Sequence, residues 1–355
     1  MTDFLTGYPG FIGRRLVRRL LDADPPARVV ALVEPRMLEV ARRHAPQGLD
    51  IVPGDITQRR LGLDDATWAR LAGEVRRVFH LAAIYDLAVP LEFAQRVNVD
   101  GTGNVLELCL AAERLERLVH VSTAYVAGQR RGVVYEHELA FGQRFKNHYE
   151  STKFQAELWV HELRDRIPAT ILRPAVVVGD SQTGETEKFD GPYYLLRTIS
   201  RLHRAGRSVV QFGRSRSTFN VVPVDFVVAA ITAMADDPAA AGETLHLVDP
   251  EPVTTGELVT GLSRVYADRL PVGRVPARLT AESLRLAPVS NFFGGTPRES
   301  IAYLNHPVTF DTRRAVDLLA PHGLTPPPFE TYLPAMVAFF RAHEHDPAFN
   351  SKRSL

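Results

Sequence analysis

Short apolar runs of strand length alternate with amphipathic segments through the first two thirds of this 355-residue chain. Uninterrupted apolar runs are typical of parallel strands that are buried on both faces of a sheet. The runs stand at residues 3–5, 28–33, 49–55, 75–83, 116–126 and 168–179, with helical segments between most of them. This alternation predicts an α/β fold with a doubly wound parallel sheet, which binds ligands at the carboxyl ends of its strands.

Three glycines follow the first run directly, in the stretch TGYPGFIGRRL of residues 6–16. Gly7, Gly10 and Gly13 stand between the predicted first strand and first helix, where backbone N–H groups and a helix N-terminus bind pyrophosphate. Glycine permits positive φ and lets a ligand approach the main chain closely. The spacing is Gly-x-x-Gly-x-x-Gly, and Pro9 stiffens the turn. The position of these glycines predicts a Rossmann-type fold with a dinucleotide-binding turn.

The composition is that of an ordinary globular protein, with 23% charged residues and a formal net charge of +1. This charge gives no reason to expect nucleic acid as a partner. The single cysteine, Cys109, excludes an internal disulfide framework and fits a reducing compartment. No apolar stretch of about 18 residues and no signal peptide stand out. We therefore expect a soluble cytoplasmic protein without an integral membrane segment, and no metal site.

The stretch YESTK places Tyr149 and Lys153 four residues apart in a segment with helical periodicity, residues 148–166. On a helix, both side chains project from one face. A nearby ammonium stabilises a phenolate and lowers the tyrosine pKa from its ordinary value near 10, which makes the tyrosine a usable acid or base. The alternative is an accidental pair on a solvated helix face. Thr123, near the end of the fifth run, offers a hydroxyl to a substrate carbonyl.

Seven motifs follow one another along residues 1–235: TGxxGxxG, GDIT, FHLAA, RVNVDGT, VSTAYVAG, YESTK and LRPAVVVG. Together they resemble the extended short-chain dehydrogenase/reductase family. VSTAYVAG and the stretches 176–196 and 219–231 resemble the branch that contains fatty acyl-CoA reductases and terminal thioester-reductase domains. The resemblance implies an NAD(P)-dependent oxidoreductase whose partner is a small lipophilic carbonyl substrate, namely a fatty aldehyde, an acyl thioester or a ketone.

The resemblance also implies roles for residues at matching positions. Thr123, Tyr149 and Lys153 match the catalytic triad, and Asn98 matches an asparagine that holds a helix irregularity and a proton-relay water. The residues that match cofactor contacts are Gly7, Pro9, Gly10, Phe11, Ile12, Gly13, Glu34, Arg36, Asp55, Ile56, Leu81, Ala82, Ala83, Tyr149, Lys153, Pro174 and Val176. The expected substrate contacts are Tyr85, Thr123, Ala124 and Tyr125. For Asn98 and Asp55, the alternatives are a simple helix kink and an Asx turn.

By the mechanism of the family, hydride passes between the nicotinamide C4 and a carbonyl carbon. Tyr149 then donates the proton and Thr123 holds the oxygen. Lys153 binds the ribose hydroxyls and lowers the tyrosine pKa. Such donors act on the alkoxide that develops in the transition state.

The choice of cofactor depends on the residues after the second run. Reductases of this branch usually place an arginine there for the 2′-phosphate, and this chain has Glu34 in that place. A carboxylate accepts hydrogen bonds from both ribose hydroxyls but repels a phosphate. Arg14 and Arg36 are the residues that would instead clamp a phosphate. Between NAD(H) and NADP(H), we predict a preference for NAD(H).

We predict an NAD(P)-binding Rossmann domain over residues 1–235, in which residues 180–217 contribute to the substrate side. Residues 236–355 are predicted to form a smaller, mostly helical substrate-binding lobe. One alternative on this fold is a nucleotide-sugar epimerase or dehydratase, although RVPARLTAESLRL at 274–286 offers only scattered arginines. Another is a non-catalytic dinucleotide-binding protein, which usually lacks the tyrosine or the lysine. Related proteins imply a homodimer with a four-helix contact that includes the Tyr149 helix.

Overall fold

The structure, a computed structural model, describes residues 2–23, 28–85, 89–212, 216–275 and 298–349. The strands in these ranges are β1 (Thr2–Thr6), β2 (Arg28–Val33), β3 (Leu49–Pro53), β4 (Val75–His80), β5 (Arg117–Val121), β6 (Gly132–Val134), β7 (Ala169–Pro174), β8 (Val176–Val178), β9 (Gln211–Phe212), β10 (Val221–Pro223), β11 (Thr244–Leu247), β12 (Arg274–Val275) and β13 (Val308–Phe310). The α-helices in the same ranges are α1 (Phe11–Leu21), α2 (Leu38–His44), α3 (Asp65–Glu74), α4 (Leu91–Ala94), α5 (Gly101–Ala111), α6 (His148–Glu162), α7 (Pro192–Arg204), α8 (Val224–Asp236), α9 (Thr255–Ala267), α10 (Arg313–Leu319) and α11 (Phe329–His343).

Within the described ranges, seven strands form one parallel sheet in the order β11-β7-β5-β4-β1-β2-β3. The chain first builds outward from β1 through β2 and β3, and then continues on the other side of β1 with β4. The strand order therefore reverses between β1 and β4, and ligands of doubly wound sheets bind at such a switch point. The predicted α/β doubly wound fold is confirmed.

The apolar run at residues 168–179 forms two strands, and our prediction of a single sixth strand there is wrong. β7 remains in the main sheet, whereas β8 pairs with β10 in a separate two-stranded sheet. The change occurs at Ala175, whose N–H donates to Leu247 O, while the next N–H, of Val176, donates to Asn220 O. The backbone thus leaves one sheet and enters the other within a single residue, without any break in the apolar sequence.

The seventh strand of the sheet, β11, lies beyond residue 235, where we predict the boundary between the two regions. It pairs in parallel with β7 and covers the edge that β7 would otherwise expose. The main sheet therefore receives one strand from the part of the chain that we assign to the smaller lobe.

Two apolar layers cover the faces of the sheet, and a third apolar cluster forms a separate core. This third core joins α7, α9 and α11, which pack against one another. Phe189, Tyr193 and Phe340 are among its buried rings. Since Phe189 and Tyr193 come from residues 180–217, part of that stretch packs with the C-terminal helices; its contribution to the substrate side stays a prediction.

Candidate active site

The three glycines of the first turn lie where no larger residue fits. Gly7 has φ +94°, and an added Cβ there would lie 2.9 Å from the backbone N of Ala82. An added Cβ on Gly13 would lie 2.5 Å from Gly7 O, and one on Gly10 would lie 2.9 Å from the same atom. The N-terminus of α1 carries no side-chain cap and no acidic residue in its first turn. The turn thus fits a bound pyrophosphate, for which it supplies backbone N–H groups and a helix N-terminus.

The other residues predicted near this turn come from the ends of β1 and β4. Phe11 and Ile12 open α1 directly after Pro9 and Gly10. The segment of Leu81, Ala82 and Ala83 follows β4 and is attached to the end of β1, since the N–H of Leu81 donates to Thr6 O at 3.3 Å. The N–H of Ala82 donates to Thr6 Oγ1, also at 3.3 Å. The turn and this segment therefore form one surface at the switch point of the sheet.

The charged residues after β2 form an ion pair. Arg36 Nε lies 2.6 Å from Glu34 Oε1, and both side chains are about half exposed. Arg14, in the first turn of α1, donates from Nε to Glu187 Oε1 at 2.8 Å. Both arginines that we consider as phosphate clamps are thus held by carboxylates.

Asp55 and Ile56 lie beyond the end of β3. One Asp55 oxygen accepts hydrogen bonds from the Thr57 N–H and the Thr57 hydroxyl, each at 2.8 Å. This is the Asx-turn geometry of the alternative interpretation. Ile56 packs against the start of α5. An added Cβ on Gly101, the first residue of that helix, would lie 2.8 Å from the Cδ1 atom of Ile56.

Asn98 is buried in a π-helical stretch, Gln95–Asp100, that joins α4 to α5. Its Oδ1 accepts a hydrogen bond from the Ile84 N–H at 2.8 Å, and its Nδ2 donates to Thr152 Oγ1 at 2.9 Å. The side chain therefore ties the segment after β4 to α6. The helix irregularity that both interpretations of Asn98 require is present; the proton-relay role stays a prediction.

Thr123 and Tyr149 meet at the carboxyl end of β5. Thr123 is buried at the N-cap of a 3₁₀ turn, Ala124–Ala127. Tyr149, which comes from the first turn of α6, brings its phenol next to the Thr123 hydroxyl. Burial raises the pKa of Tyr149 above its ordinary value, and the Thr123 hydroxyl opposes that rise. The pKa is thus raised, whereas we predict from the sequence that Lys153 lowers it; that prediction is wrong, because burial dominates. The phenol is therefore protonated at neutral pH, which is the state that can donate a proton.

Lys153 lies one helical turn after Tyr149 and is 2% exposed. Its Nζ donates to Val121 O at 2.8 Å. Burial lowers the pKa of Lys153 to about 8, and the charge of Glu157 opposes this shift. Thr123, Tyr149 and Lys153 thus lie together at the ends of β5 and α6.

The predicted substrate residues do not share one environment. Tyr85 is 42% exposed, and its ring lies edge-on to that of Tyr149 with 5.1 Å between centroids. Ala124 is fully buried, and Tyr125 packs edge-on against Tyr303 at 4.9 Å. The structure therefore brings Tyr85 next to Tyr149 and leaves Ala124 and Tyr125 in the packed interior.

Pro174 and Val176 flank the point where the chain leaves the main sheet. Pro174 is the last residue of β7, and Val176 opens β8 next to Gly191. Both lie at the carboxyl end of the sheet, on the side of β5 away from the glycine turn.

Glu157 and Arg173 belong to this site, and our reading of the sequence missed them. Glu157 is fully buried one turn after Lys153, and its Oε1 accepts a hydrogen bond from Arg173 Nε at 2.9 Å. The Ser122 hydroxyl donates to Glu157 Oε2. A usable signal was present in the sequence, because Glu157 continues the spacing of four that links Tyr149 to Lys153.

A second buried polar cluster joins the start of α6 to the C-terminal part of the chain. Glu150 Oε1 accepts hydrogen bonds from Lys146 Nζ at 3.0 Å and from the Tyr303 hydroxyl at 2.7 Å. Asn147 Nδ2 donates to the Tyr303 hydroxyl at 2.8 Å. His306 lies beside Lys146, with 3.3 Å between the imidazole Nε2 and Nζ. These contacts fix the N-terminus of the helix that carries Tyr149.

The model of an NAD-binding family, described as Male sterility protein, matches residues 5–231. The chain belongs to this family. This confirms the predicted place among extended short-chain dehydrogenase/reductases, in the branch of fatty acyl-CoA and thioester reductases. The family is NAD-binding, and the relatives that match this chain include proteins named as fatty acyl-CoA reductase and carboxylic acid reductase.

Relatives and solved structures agree with this membership. The chain is 28% identical over 301 residues to the L-2-aminoadipate reductase large subunit of Penicillium chrysogenum, covering 76% of this chain and 21% of that protein. It is 24% identical over 358 residues to fatty acyl-CoA reductase 1 of Arabidopsis thaliana, covering 77% of this chain and 72% of the relative. The terminal R domain of the myxalamid PKS-NRPS pathway superposes with a TM-score of 0.82 at 26% identity, covering 98% of this chain and 92% of that one. The chain thus spans about a fifth of the aminoadipate reductase subunit.

No helix in the described residues combines the length and the apolar character that a membrane span needs. In the same residues, no group of three or more His, Cys, Asp or Glu side chains is arranged to hold a metal ion.

Proposed function

We propose that this protein reduces the carbonyl group of a lipophilic aldehyde, ketone or acyl thioester. The proximity of the Thr123 hydroxyl to the Tyr149 phenol, with Lys153 one turn further along α6, is the observation on which the proposal rests. The name of one relative, a fatty acyl-CoA reductase, supports the lipophilic substrate class. A terminal R domain shares the fold over nearly the whole chain.

A nicotinamide dinucleotide, when bound, supplies the hydride for this reduction. The glycine turn of Gly7, Gly10 and Gly13 would hold its pyrophosphate through backbone N–H groups, since no Cβ occupies that surface. The Lys153 ammonium would hold the ribose hydroxyls. The fit of the turn is steric, so its contribution to binding does not depend on pH.

The proton comes from Tyr149. Its phenol is protonated at neutral pH because burial raises its pKa. Thr123 holds the carbonyl oxygen within reach of that proton and stabilises the negative charge that develops on it. The ammonium of Lys153 stabilises the phenolate that remains on Tyr149 after the transfer.

We further propose that the cofactor is NADH. The Glu34 carboxylate follows β2, where it would accept hydrogen bonds from the ribose 2′ and 3′ hydroxyls. Arg36 is paired with Glu34 itself, and Arg14 with Glu187. To bind a 2′-phosphate, either arginine would have to leave its carboxylate.

The test is a panel of acyl-CoAs, long-chain aldehydes and cyclic ketones, each assayed with NADH and with NADPH. We expect oxidation of the dinucleotide coupled to loss of the carbonyl compound. Failure of the whole panel with both dinucleotides, in a protein that binds dinucleotide, would contradict the proposal. An epimerase would instead convert a nucleotide sugar without net oxidation of added cofactor.

Three earlier expectations stay predictions: the division of the chain at residue 235, the homodimer and the cytoplasmic location. The arginines that we weighed in the stretch 274–286 lie largely outside the described residues, because the description ends at residue 275 and resumes at residue 298.

A further inference from the structure

One face of α6 carries an ionisable side chain at every fourth position. Residues four apart on a helix are neighbours on one face. The four residues are Tyr149, Lys153, Glu157 and His161. Lys153 and Glu157 are buried, and Tyr149 and His161, at the two ends, are half-buried. The stripe therefore links the proposed proton donor to a buried lysine and a buried carboxylate.

Glu157 is the fixed anion of this stripe. Although burial alone would raise its pKa, the guanidinium of Arg173, the His161 imidazole 3.5 Å away and the hydrogen bond from Ser122 hold that pKa well below its usual range. Arg173 donates to Oε1 from Nε at 2.9 Å and from Nη2 at 2.5 Å. The carboxylate is thus ionised at any pH at which the enzyme works, and it cannot rotate away.

Lys153 has no such fixed partner of its own. Its Nζ donates to a neutral acceptor, Val121 O. Burial disfavours its charged form, and Glu157 is the group whose charge favours it. The other titratable groups that face Lys153 are Tyr149 from α6, His80 from β4 and His120 from β5. Burial holds the pKa of His80 at about 3 and that of His120 well below its ordinary value, so both imidazoles are neutral.

We propose that Glu157 is a positioning residue for the reduction, because its buried carboxylate keeps the ammonium of Lys153 charged. This inference rests on the proposed Thr-Tyr-Lys function. Without the carboxylate, Lys153 would lose its proton at a lower pH and could no longer stabilise the phenolate or bind the ribose as a cation. The charged or titratable groups that face Glu157 are Arg173 from β7, His246 from β11, His120 from β5, and Lys153 and His161 from α6.

The experiment compares pH profiles of the parent and Glu157→Gln. Removal of a nearby negative charge lowers a lysine pKa, so the alkaline limb of kcat/KM should move to lower pH by about one unit. At low pH, where Lys153 stays charged, kcat/KM should approach that of the parent. Glu157→Asp keeps the charge and should return the limb toward the parent position.

The chain offers a matched control in the buried pair of Asp3 and Arg77. Asp3 is fully buried in β1 of the same sheet, and Arg77 Nε donates to Asp3 Oδ1 at 2.7 Å. Arg77 also binds Asp236. Asp3→Asn should lower stability but leave the alkaline limb in place. A limb that moved equally in Asp3→Asn would mean that general loosening of the fold causes the shift, and would overturn the proposal.

Glu157→Gln leaves Arg173 as a buried cation without its carboxylate, which is costly. If that variant does not fold, Glu157→Gln combined with Arg173→Gln removes both charges, and the limb should still move to lower pH, though by less, because a nearby cation is removed as well. A limb at the parent position in whichever variant folds would overturn the proposal.

Dinucleotide affinity from about pH 6 to about pH 9 gives a second readout that needs no turnover. In Glu157→Gln, the affinity should begin to fall at lower pH than in the parent. If the parent reduced no carbonyl compound, the proposed function would fail, and these titrations would still decide the role of Glu157. An unchanged pH dependence of affinity would then reject it.

Discussion

The edge of the sheet at which ligands bind has a nucleotide half and a catalytic half, and different kinds of groups form the two. At the ends of β1 and β2, the turn is shaped by main chain alone, and its nearby charges, Glu34 and Arg36, are about half exposed. At the ends of β5 and β7, the groups are buried side chains that include Lys153, Glu157 and Arg173. Shape therefore governs the glycine turn and buried charge governs the catalytic half, so variants of the turn and of the catalytic half should respond differently to pH.

The largest effect is expected in the catalytic half, for Tyr149→Phe. The ring stays in place and the acidic proton is lost, so kcat should fall by about 10³-fold while dinucleotide affinity stays nearly unchanged. Single-turnover kinetics and a dinucleotide titration measure the two quantities. Tyr135, which is exposed, provides the control Tyr135→Phe, for which no change is expected. Turnover of Tyr149→Phe within about tenfold of the parent would remove the tyrosine from its proposed role.

Gly13→Ala should weaken dinucleotide binding in the nucleotide half through a steric clash. Its Cβ would lie 2.5 Å from a backbone oxygen, which cannot move aside as a flexible side chain can. We expect dinucleotide affinity to fall by about 100-fold, equally at all pH values. Gly73→Ala is the matched control, since an added Cβ at Gly73 meets nothing within 4 Å. A loss that varied with pH would argue against the division by shape and charge.

Glu34→Arg should change the cofactor preference from NADH to NADPH. A doubly charged phosphate next to the Glu34 carboxylate should cost on the order of 1–3 kcal/mol, so the parent should favour NADH about tenfold or more. Arginine at this position should reverse the ratio of kcat/KM values for NADH and NADPH. Preference of the parent for NADPH, or a ratio unchanged by the substitution, would show that Arg14 or Arg36 outweighs Glu34.

The smallest effect concerns acid stability, which should depend on buried histidines outside β1, β2 and β3. The main-sheet strands β1, β2 and β3 contain no histidine, whereas β4 and β11 carry His80 and His246, whose pKa values burial lowers to about 3. The unfolded chain takes up these protons below about pH 6.5 and the folded chain only near pH 3, so stability is lost as the pH falls between these values. Each such histidine should weaken the fold by about 1 kcal/mol at about pH 5.5.

Denaturant unfolding at about pH 7 and about pH 5.5 measures this effect. His80→Gln should reduce the pH dependence of the unfolding free energy. His44→Gln, at an exposed position in α2, should leave it unchanged. Equal pH dependence in the parent and His80→Gln would contradict the assignment.

The sequence predicts those parts of the fold and site that depend on neighbours in the chain. The glycine turn, the strands before it and after it, and the helix with Tyr149 and Lys153 all have local signals, because period and turn chemistry are local properties. The place where the chain leaves the sheet has no such signal. From Ile171 to Val178 the run is apolar except for Arg173, and only the hydrogen bonds of Ala175 and Val176 show that it divides.

Contacts between distant parts of the chain could not be predicted. The bond between Tyr303 and Glu150 joins residues 153 positions apart, and neither residue carries a local pattern that selects the other. β11 has only four residues, and one of them is His246. A strand this short can be identified only from its pairing with β7 in the folded protein.

The position of β11 far along the chain has a practical consequence for producing truncated fragments of this protein. The match to the family ends at residue 231, thirteen positions before β11 begins. A fragment cut at that match would leave β7 as the outer strand, although all six of its residues are buried in the intact protein. Unpaired N–H and C=O groups along an apolar edge recruit strands from other molecules. We therefore expect such a fragment to aggregate rather than to form an independent dinucleotide-binding unit.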